Sequence, residues 1–240
     1  MESSHSGQVQ PVLHAGDTFR FTCHENLPCF TQCCRDVNIY LTPYDLLRLR
    51  RALGIKSGEI LSKYTRLSLA GAAKLPFVQL MMDPKTLRCQ FVSGAGCTVY
   101  GNRPWACRMY PLDLGDNEGE YRQFVGKDRC LGLREPVENV VGEWLAGQGV
   151  EPHLKMDRAF QEVIPKGFQA DDRMGDGVGQ LLYLAYDLDR FAEKLKDGDF
   201  RTAYNIDDDM LHKLQEDDEL LLLLAFRYIR TQLEELMDVL

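Results

Sequence analysis

All eight cysteines of this 240-residue chain fall between Cys23 and Cys130. Unrelated core thiols would scatter along the chain, so the crowding assigns the sulfurs a shared task. Their spacing is Cys23-x5-Cys29-x3-Cys33-Cys34, then 54 residues, then Cys89-x7-Cys97-x9-Cys107-x22-Cys130. Eight is twice the four thiolates that a tetrahedral zinc or a cubane iron–sulfur cluster takes. Two sites are stoichiometrically open, and so is one site with spare thiols. Cys33 and Cys34 are adjacent, and neighbouring side chains of an extended chain diverge. They either face different sites or share one multinuclear cluster.

The alternative use of cysteines is a disulfide framework, which needs an oxidising compartment. The first twenty residues are polar and lack the apolar segment of a secretory signal. The longest wholly apolar run, Leu220 to Phe226, is far short of the roughly 20 residues of a membrane span. A cytoplasmic protein with reduced thiols is therefore expected, without a membrane partner. The net charge of −8 and pI near 5.2 argue against a nucleic-acid-binding surface. With 45% hydrophobic and 27% charged residues, the chain reads as one or two compact globular units.

Three stretches are expected. Residues 1–20 form a flexible lead-in, with His5 and His14 as solvated loop side chains. Residues 21–134 form a cysteine-bearing metal-binding domain of short helices and β-hairpins. Residues 135–240 form an all-helical C-terminal region, making the fold class α+β. Thr42-Pro43-Tyr44-Asp45 is a helix-start signature, followed by an apolar stripe to Ile55 with Gly54 as the stop. A short helix follows from Ser57. Phe77–Met82 and Leu87–Val92, joined by Asp83-Pro84-Lys85-Thr86, read as a hairpin. Cys97–Tyr100 reads as a strand, Asn102–Cys107 as a short helix ended by Pro111, and Leu112–Val125 as a second hairpin. Helical periodicity marks Val137–Leu145, His153–Ile164, Val178–Leu195 and two stretches from Asp208 onward. Acidic residues before the last two helices read as helix-start electrostatics. Gly175-Asp176-Gly177-Val178-Gly179 lacks a preceding strand and a P-loop lysine, so it reads as a cap and loop. The Leu220–Leu224 run reads as a buried helix face or a surface for a protein partner.

Zinc ribbons present C-x2-C knuckles, and this chain has none. Irregular spacing and a vicinal pair suit the larger inorganic core of an iron–sulfur cluster, which favours 4Fe–4S with zinc as the alternative. Four thiolates around a divalent zinc leave a net −2. Arg35, Arg103, Arg108 and Arg129 lie beside the thiols and would offset that charge. His24, directly after Cys23, is either a substitute ligand or a supporting residue. No Ser-His-Asp set, H-E-x-x-H motif or dinucleotide fingerprint is present, so no catalytic residue is assigned.

These residues resemble the YkgJ-type cysteine-cluster family of zinc- or iron-chelating domains. The likeness runs through Cys29-Phe-Thr-Gln-Cys33-Cys34-Arg35 and Ile39-Tyr-Leu-Thr-Pro-Tyr-Asp-Leu46. It resumes in Cys89-Gln-Phe-Val92, Cys97-Thr-Val-Tyr100 and Asn102-Arg-Pro-Trp-Ala-Cys-Arg-Met-Tyr-Pro111, and closes at Cys130-Leu-Gly132. The resemblance implies metal chelation by Cys23, Cys29, Cys33, Cys34, Cys89, Cys97, Cys107 and Cys130. It also implies that Arg103 and Pro104 shape the turn presenting Cys107. The first group is spaced more widely than the family's usual C-x2-C-x2-C-C. Relatives include flagellin lysine N-methylases, where the domain looks like an iron–sulfur module of a methyl-transfer enzyme. Three functions follow as expectations: a cysteine-ligated, 4Fe–4S protein with a redox, sensing or structural role; a zinc-stapled interaction protein docking a partner through its C-terminal helices; and an S-adenosylmethionine-dependent methylase-like enzyme.

Overall fold

A computed structural model describes residues 11–70, 75–168 and 177–239. His5, Gly175 and Asp176 lie outside the described residues.

Helix α1 (Pro43–Leu53) organises the molecule. The Thr42 hydroxyl accepts the Asp45 N–H at 3.1 Å, and the Asp45 carboxylate accepts the Thr42 N–H at 3.0 Å. This reciprocal cap satisfies two otherwise unpaired donors, and Pro43 gives up no hydrogen bond at the first turn. Gly54 ends the helix in a left-handed conformation at φ 64°. Leu46 and Leu49, three residues apart, bury one face against α2 (Ser57–Tyr64) and a three-stranded antiparallel sheet. Tyr44 and Leu47 bury a different face in the core of the C-terminal helices.

The sheet has the order β3 (Tyr40–Leu41), β5 (Leu75–Leu80), β4 (Thr65–Ala70), with Leu41 and Leu67 both opposite Val78. A second sheet joins β1 (Val12–Leu13), β9 (Tyr121–Gln123) and β8 (Leu112–Leu114), while β2 (Thr18–Arg20) pairs with β10 (Glu138–Val140). Between these strands, α3 (Trp105–Met109) and α4 (Val141–Gln148), the residues Phe19, Met109, Leu112, Val141 and Leu145 close a small core. Phe19 meets Trp144 there edge-on at 5.3 Å.

The helical core gathers Phe191, Leu222, Ala225, Ile229 and Leu233. It is built by α5 (Glu151–Gln161), α6 (Gly177–Tyr183), α7 (Leu188–Ala192), α8 (Gly198–Ala203), α9 (Asp208–Glu216) and α10 (Asp218–Val239). Asp218 and Glu219 open α10 and ion-pair with Arg50 and Arg51 of α1, so the acidic start of this helix also clamps the two regions together. Among the described residues, no helix is long and apolar enough to cross a membrane.

The mixed α+β architecture agrees with the expectation, whereas several elements differ. Phe77–Leu80 pairs with Thr65–Ser68, not with Leu87–Val92. The turn after Asp83 forms, with the Leu87 N–H donating to the Asp83 carbonyl at 2.8 Å, but Leu87 then adopts φ 58° and breaks the second arm to one bridge, Met82 to Cys89. The strand at Cys97 is only β7 (Gly96–Cys97), paired to β6 (Val92–Ser93), and residues 100–102 form a 3-10 turn. The Val137–Leu145 stretch begins as β10, because β2 offers it a pairing edge. The Val178–Leu195 helix is interrupted: Asp187 caps the Arg190 N–H and restarts the helix as α7.

Candidate metal centre

The eight cysteines lie on five short segments. Cys29 and the 3-10 turn Gln32–Cys34 lie on a loop whose Thr31 and Asp36 adopt φ 64° and 53°. Left-handed residues other than glycine are uncommon and cluster at functional loops. Two backbone bonds clip this loop to the next segment: the Cys89 N–H donates to the Cys34 carbonyl at 2.7 Å, and the Asp36 N–H to the Leu87 carbonyl at 2.8 Å. The Phe91 N–H then points at the Cys89 sulfur at 3.5 Å, and the Thr98 N–H donates to the Phe91 carbonyl at 2.8 Å, which delivers Cys97 beside Cys89.

Helix α3 supplies Cys107. Its Trp105 N–H donates to Asp45 at 2.8 Å, and the same carboxylate oxygen meets His153 of α5 at 2.9 Å. Asp45 thus joins the starts of α1 and α3 to a helix of the C-terminal region. Cys130 and Cys23 arrive together. The Thr22 N–H donates to the Gly132 carbonyl at 3.1 Å, and the Leu131 N–H points at the Cys29 sulfur at 3.3 Å. Gly132 has no room for a side chain, since a Cβ there would lie 2.5 Å from the Thr22 carbonyl oxygen.

All eight cysteines are free thiols. Cys130 is buried, Cys23 and Cys33 are exposed, and the other five are half-buried. Burial pushes the Cys107 thiol up, and the neighbouring Cys34, Cys89, Asp45 and Cys97 add to it. Burial likewise drives Cys89 up to about 11 with help from Cys34 and Cys97, against the Phe91 N–H. Cys97 rises by burial and the nearby Cys34, opposed by the Val99 N–H and Arg103. Cys34 moves the other way, to about 7, because the Cys33 thiol 4.0 Å away hydrogen-bonds its thiolate and Arg88 faces it. Cys33 rises correspondingly, first through that hydrogen bond and then through burial. Burial raises Cys23, as do its neighbours Cys130, Cys29 and Cys34. Burial also raises the Tyr110 phenol, which hydrogen-bonds Cys130 and faces Cys33 and Cys29.

The donor set of the expected residues is all sulfur, matching the preference of zinc and iron for thiolate. Among the described residues, no three Cys, His, Asp or Glu side chains are grouped closely enough to hold a metal ion as they stand. The fit lies in donor chemistry and neighbourhood rather than in a preformed cage.

The charge compensation differs from expectation. Arg108 is buried and spends its guanidinium on the carbonyls of Arg103, Gln148 and Gly101, at 3.0, 2.7 and 2.7 Å. Arg35 and Arg129 are exposed. Arg103 does act on Cys97, while its side chain also stacks over Tyr100 at 3.9 Å. The cation facing Cys34 is Arg88, fixed by a 2.8 Å bond to the Thr31 hydroxyl. Its position immediately before Cys89 was the available signal. Tyr110 had a signal too, three residues after Cys107. His24 lies 3.7 Å from Glu135 and is half-buried, placing its ring toward a carboxylate.

Residues 22–130, a span that includes all eight cysteines, match the family model CxxCxxCC, described as "Putative zinc- or iron-chelating domain". No curated protein and no solved structure matches the chain.

Proposed function

With a zinc- or iron-chelating domain over residues 22–130 as the premise, we propose that the chain holds an iron–sulfur cluster on its cysteines, favoured as 4Fe–4S, in a redox, sensing or structural role. The observation that carries this reading is the packing of Cys89, Cys97 and Cys107 against one core, with Cys34 clipped beside them by the backbone bond from Cys89, inside the span that matches the chelating-domain model. Metal binding takes the proton's place on each sulfur. The ligands come from separate loops instead of paired knuckles, which suits a cluster's larger core.

When bound, a cluster supplies one-electron redox chemistry or a covalent cross-link between loops. The chain's own residues do the rest. Arg88 and Arg103 offset thiolate charge, the Phe91 N–H directs a hydrogen bond at the Cys89 sulfur, and Asp45 fixes the helix that carries Cys107. Metal binding at such sites contributes on the order of 10 kcal/mol, as much as the stability of a whole domain.

Anaerobic purification followed by a visible spectrum and a metal count tests the reading. A brown protein with sulfur-to-iron charge-transfer absorption and bound iron supports it. A colourless, zinc-loaded protein would replace the cluster with a structural zinc site.

A further inference from the structure

We propose that the groove between the β3–β5 sheet and α5 binds a small organic ammonium ion, with its apolar body against the aromatic rim and its charged head at Asp157. This goes beyond the chelation reading, because the groove is lined by none of the eight cysteines.

The groove holds about 340 Å3 between Tyr40, Pro76 and Phe77 of the sheet, Phe160 of α5, Leu182 of α6 and Tyr186. Small-molecule sites run from about 300 to 1,000 Å3, so a volume at the lower end fits one compact molecule. Tyr40, Phe77 and Ile164 line it while remaining 55%, 43% and 38% exposed. Single exposed apolar side chains are ordinary, but a group of them rimming one concavity marks a binding surface. The Tyr40 and Phe77 rings meet edge-on at 6.2 Å, and Phe160 meets Tyr186 edge-on at 6.0 Å, so the aromatic walls brace one another.

Asp157 is the one formally charged residue in that lining among the described residues. It stands on α5 one turn after His153, and its carboxylate accepts a hydrogen bond from Gln161 Nε2 at 2.9 Å. Burial and then the nearby Asp45 carboxylate push its carboxyl above the ordinary value, while Gln161 pulls the other way. Among the described residues, no cation stands with those groups. A half-buried carboxylate among apolar walls attracts a cation more strongly than one in water, and it repels an anion. Aromatic faces add to that preference through their quadrupole. A bare divalent metal ion is a poor occupant, because calcium takes six to eight oxygen ligands and the apolar walls supply none. An ammonium head on an apolar body satisfies both the carboxylate and the rim.

Isothermal titration calorimetry of the full chain tests this with phenethylammonium, phenethyl alcohol and hydrocinnamate, which share one body and differ in charge. The ammonium should bind about tenfold or more tightly than the alcohol, the worth of a charged hydrogen bond, and hydrocinnamate should bind weakest. Asp157→Asn keeps the shape and drops the charge. It should bring the ammonium down to the alcohol's affinity and leave the alcohol's affinity unchanged. Phe77→Ala should weaken both ligands. Equal binding of ammonium and alcohol, no binding of the ammonium, or a preference that survives in folded Asp157→Asn overturns the proposal. Should circular dichroism show Asp157→Asn unfolded, Phe77→Ala decides, and an unchanged ammonium affinity there overturns the site.

Discussion

His153 Nδ1 lies 2.9 Å from Asp45 Oδ1, and the two side chains are 3% and 1% exposed. The carboxylate also accepts the Thr42 and Trp105 N–H groups, so one buried residue serves three elements. Asp45→Ala leaves all three partners unsatisfied in a dry environment. A loss of about 3 kcal/mol is expected for a charged hydrogen-bonding hub of this kind. That corresponds to a fall in Tm of roughly 6–12 °C for a chain of this size. Differential scanning calorimetry checks it, and an unchanged Tm would remove Asp45 from the role of tie.

Gly132 is a second point where one atom decides. A methyl group there meets the Thr22 carbonyl oxygen at 2.5 Å and the Phe21 ring at 3.1 Å, so the Cys23 segment must move away from Cys130. Gly132→Ala is expected to lower stability by about 1–3 kcal/mol, the usual range for overpacking, and to reduce metal retained per chain. Gly94→Ala, where a Cβ meets nothing within 4 Å, is the control. Elemental analysis beside a thermal melt distinguishes the two.

Acid sensitivity should trace to Asp189. Burial pushes its carboxyl up, but the Arg50 guanidinium at 2.9 Å and the Ser57 N–H and hydroxyl outweigh burial and hold it below its ordinary value. A carboxyl lower in the folded than in the unfolded state stabilises the fold above the unfolded value of about 3.9, and that contribution is lost as pH falls through the lower folded value. Asp189→Asn should therefore destabilise the protein at neutral pH and flatten the decline below about pH 4. Urea melts across pH 2.5–7 give the slope, and parallel curves for both proteins would refute the assignment.

Leu87 carries a branched apolar side chain at φ 58° and is exposed. A left-handed conformation costs an ordinary residue about 1–2 kcal/mol, and asparagine tolerates it better. Leu87→Asn should raise Tm by roughly 1–4 °C without altering metal content, a gain of up to about 1 kcal/mol. A lower Tm would show that the leucine side chain contributes more than its backbone costs.

Local signals were legible in the sequence. The Thr42–Asp45 cap, the Gly54 stop, the Ser57 helix and the β8–β9 hairpin each depend on a few adjacent residues, and each is present. The match of residues 22–130 to a chelating-domain model covers the stretch that the crowding of the cysteines marks out. What stayed hidden was long-range. Strand β4 follows directly on the end of α2 with no turn residue to mark its start, and its pairing with β5 depends on the whole sheet. Leu87 gives no hint of its left-handed backbone, because leucine does not favour it. Nor does the sequence tell that Arg108, beside Cys107, faces carbonyls instead of a thiol.

Helix α1 presents Leu46 and Leu49 to one core and Tyr44 and Leu47 to another. A party wall cannot be given to one house. Any fragment that keeps the sulfur-bearing loops but ends before α6 would hold up its inner side while its outer side stood wet, inviting self-association through those bared rings and leucines. Trimming this polypeptide for crystallisation or labelling should spare both flanks of that wall.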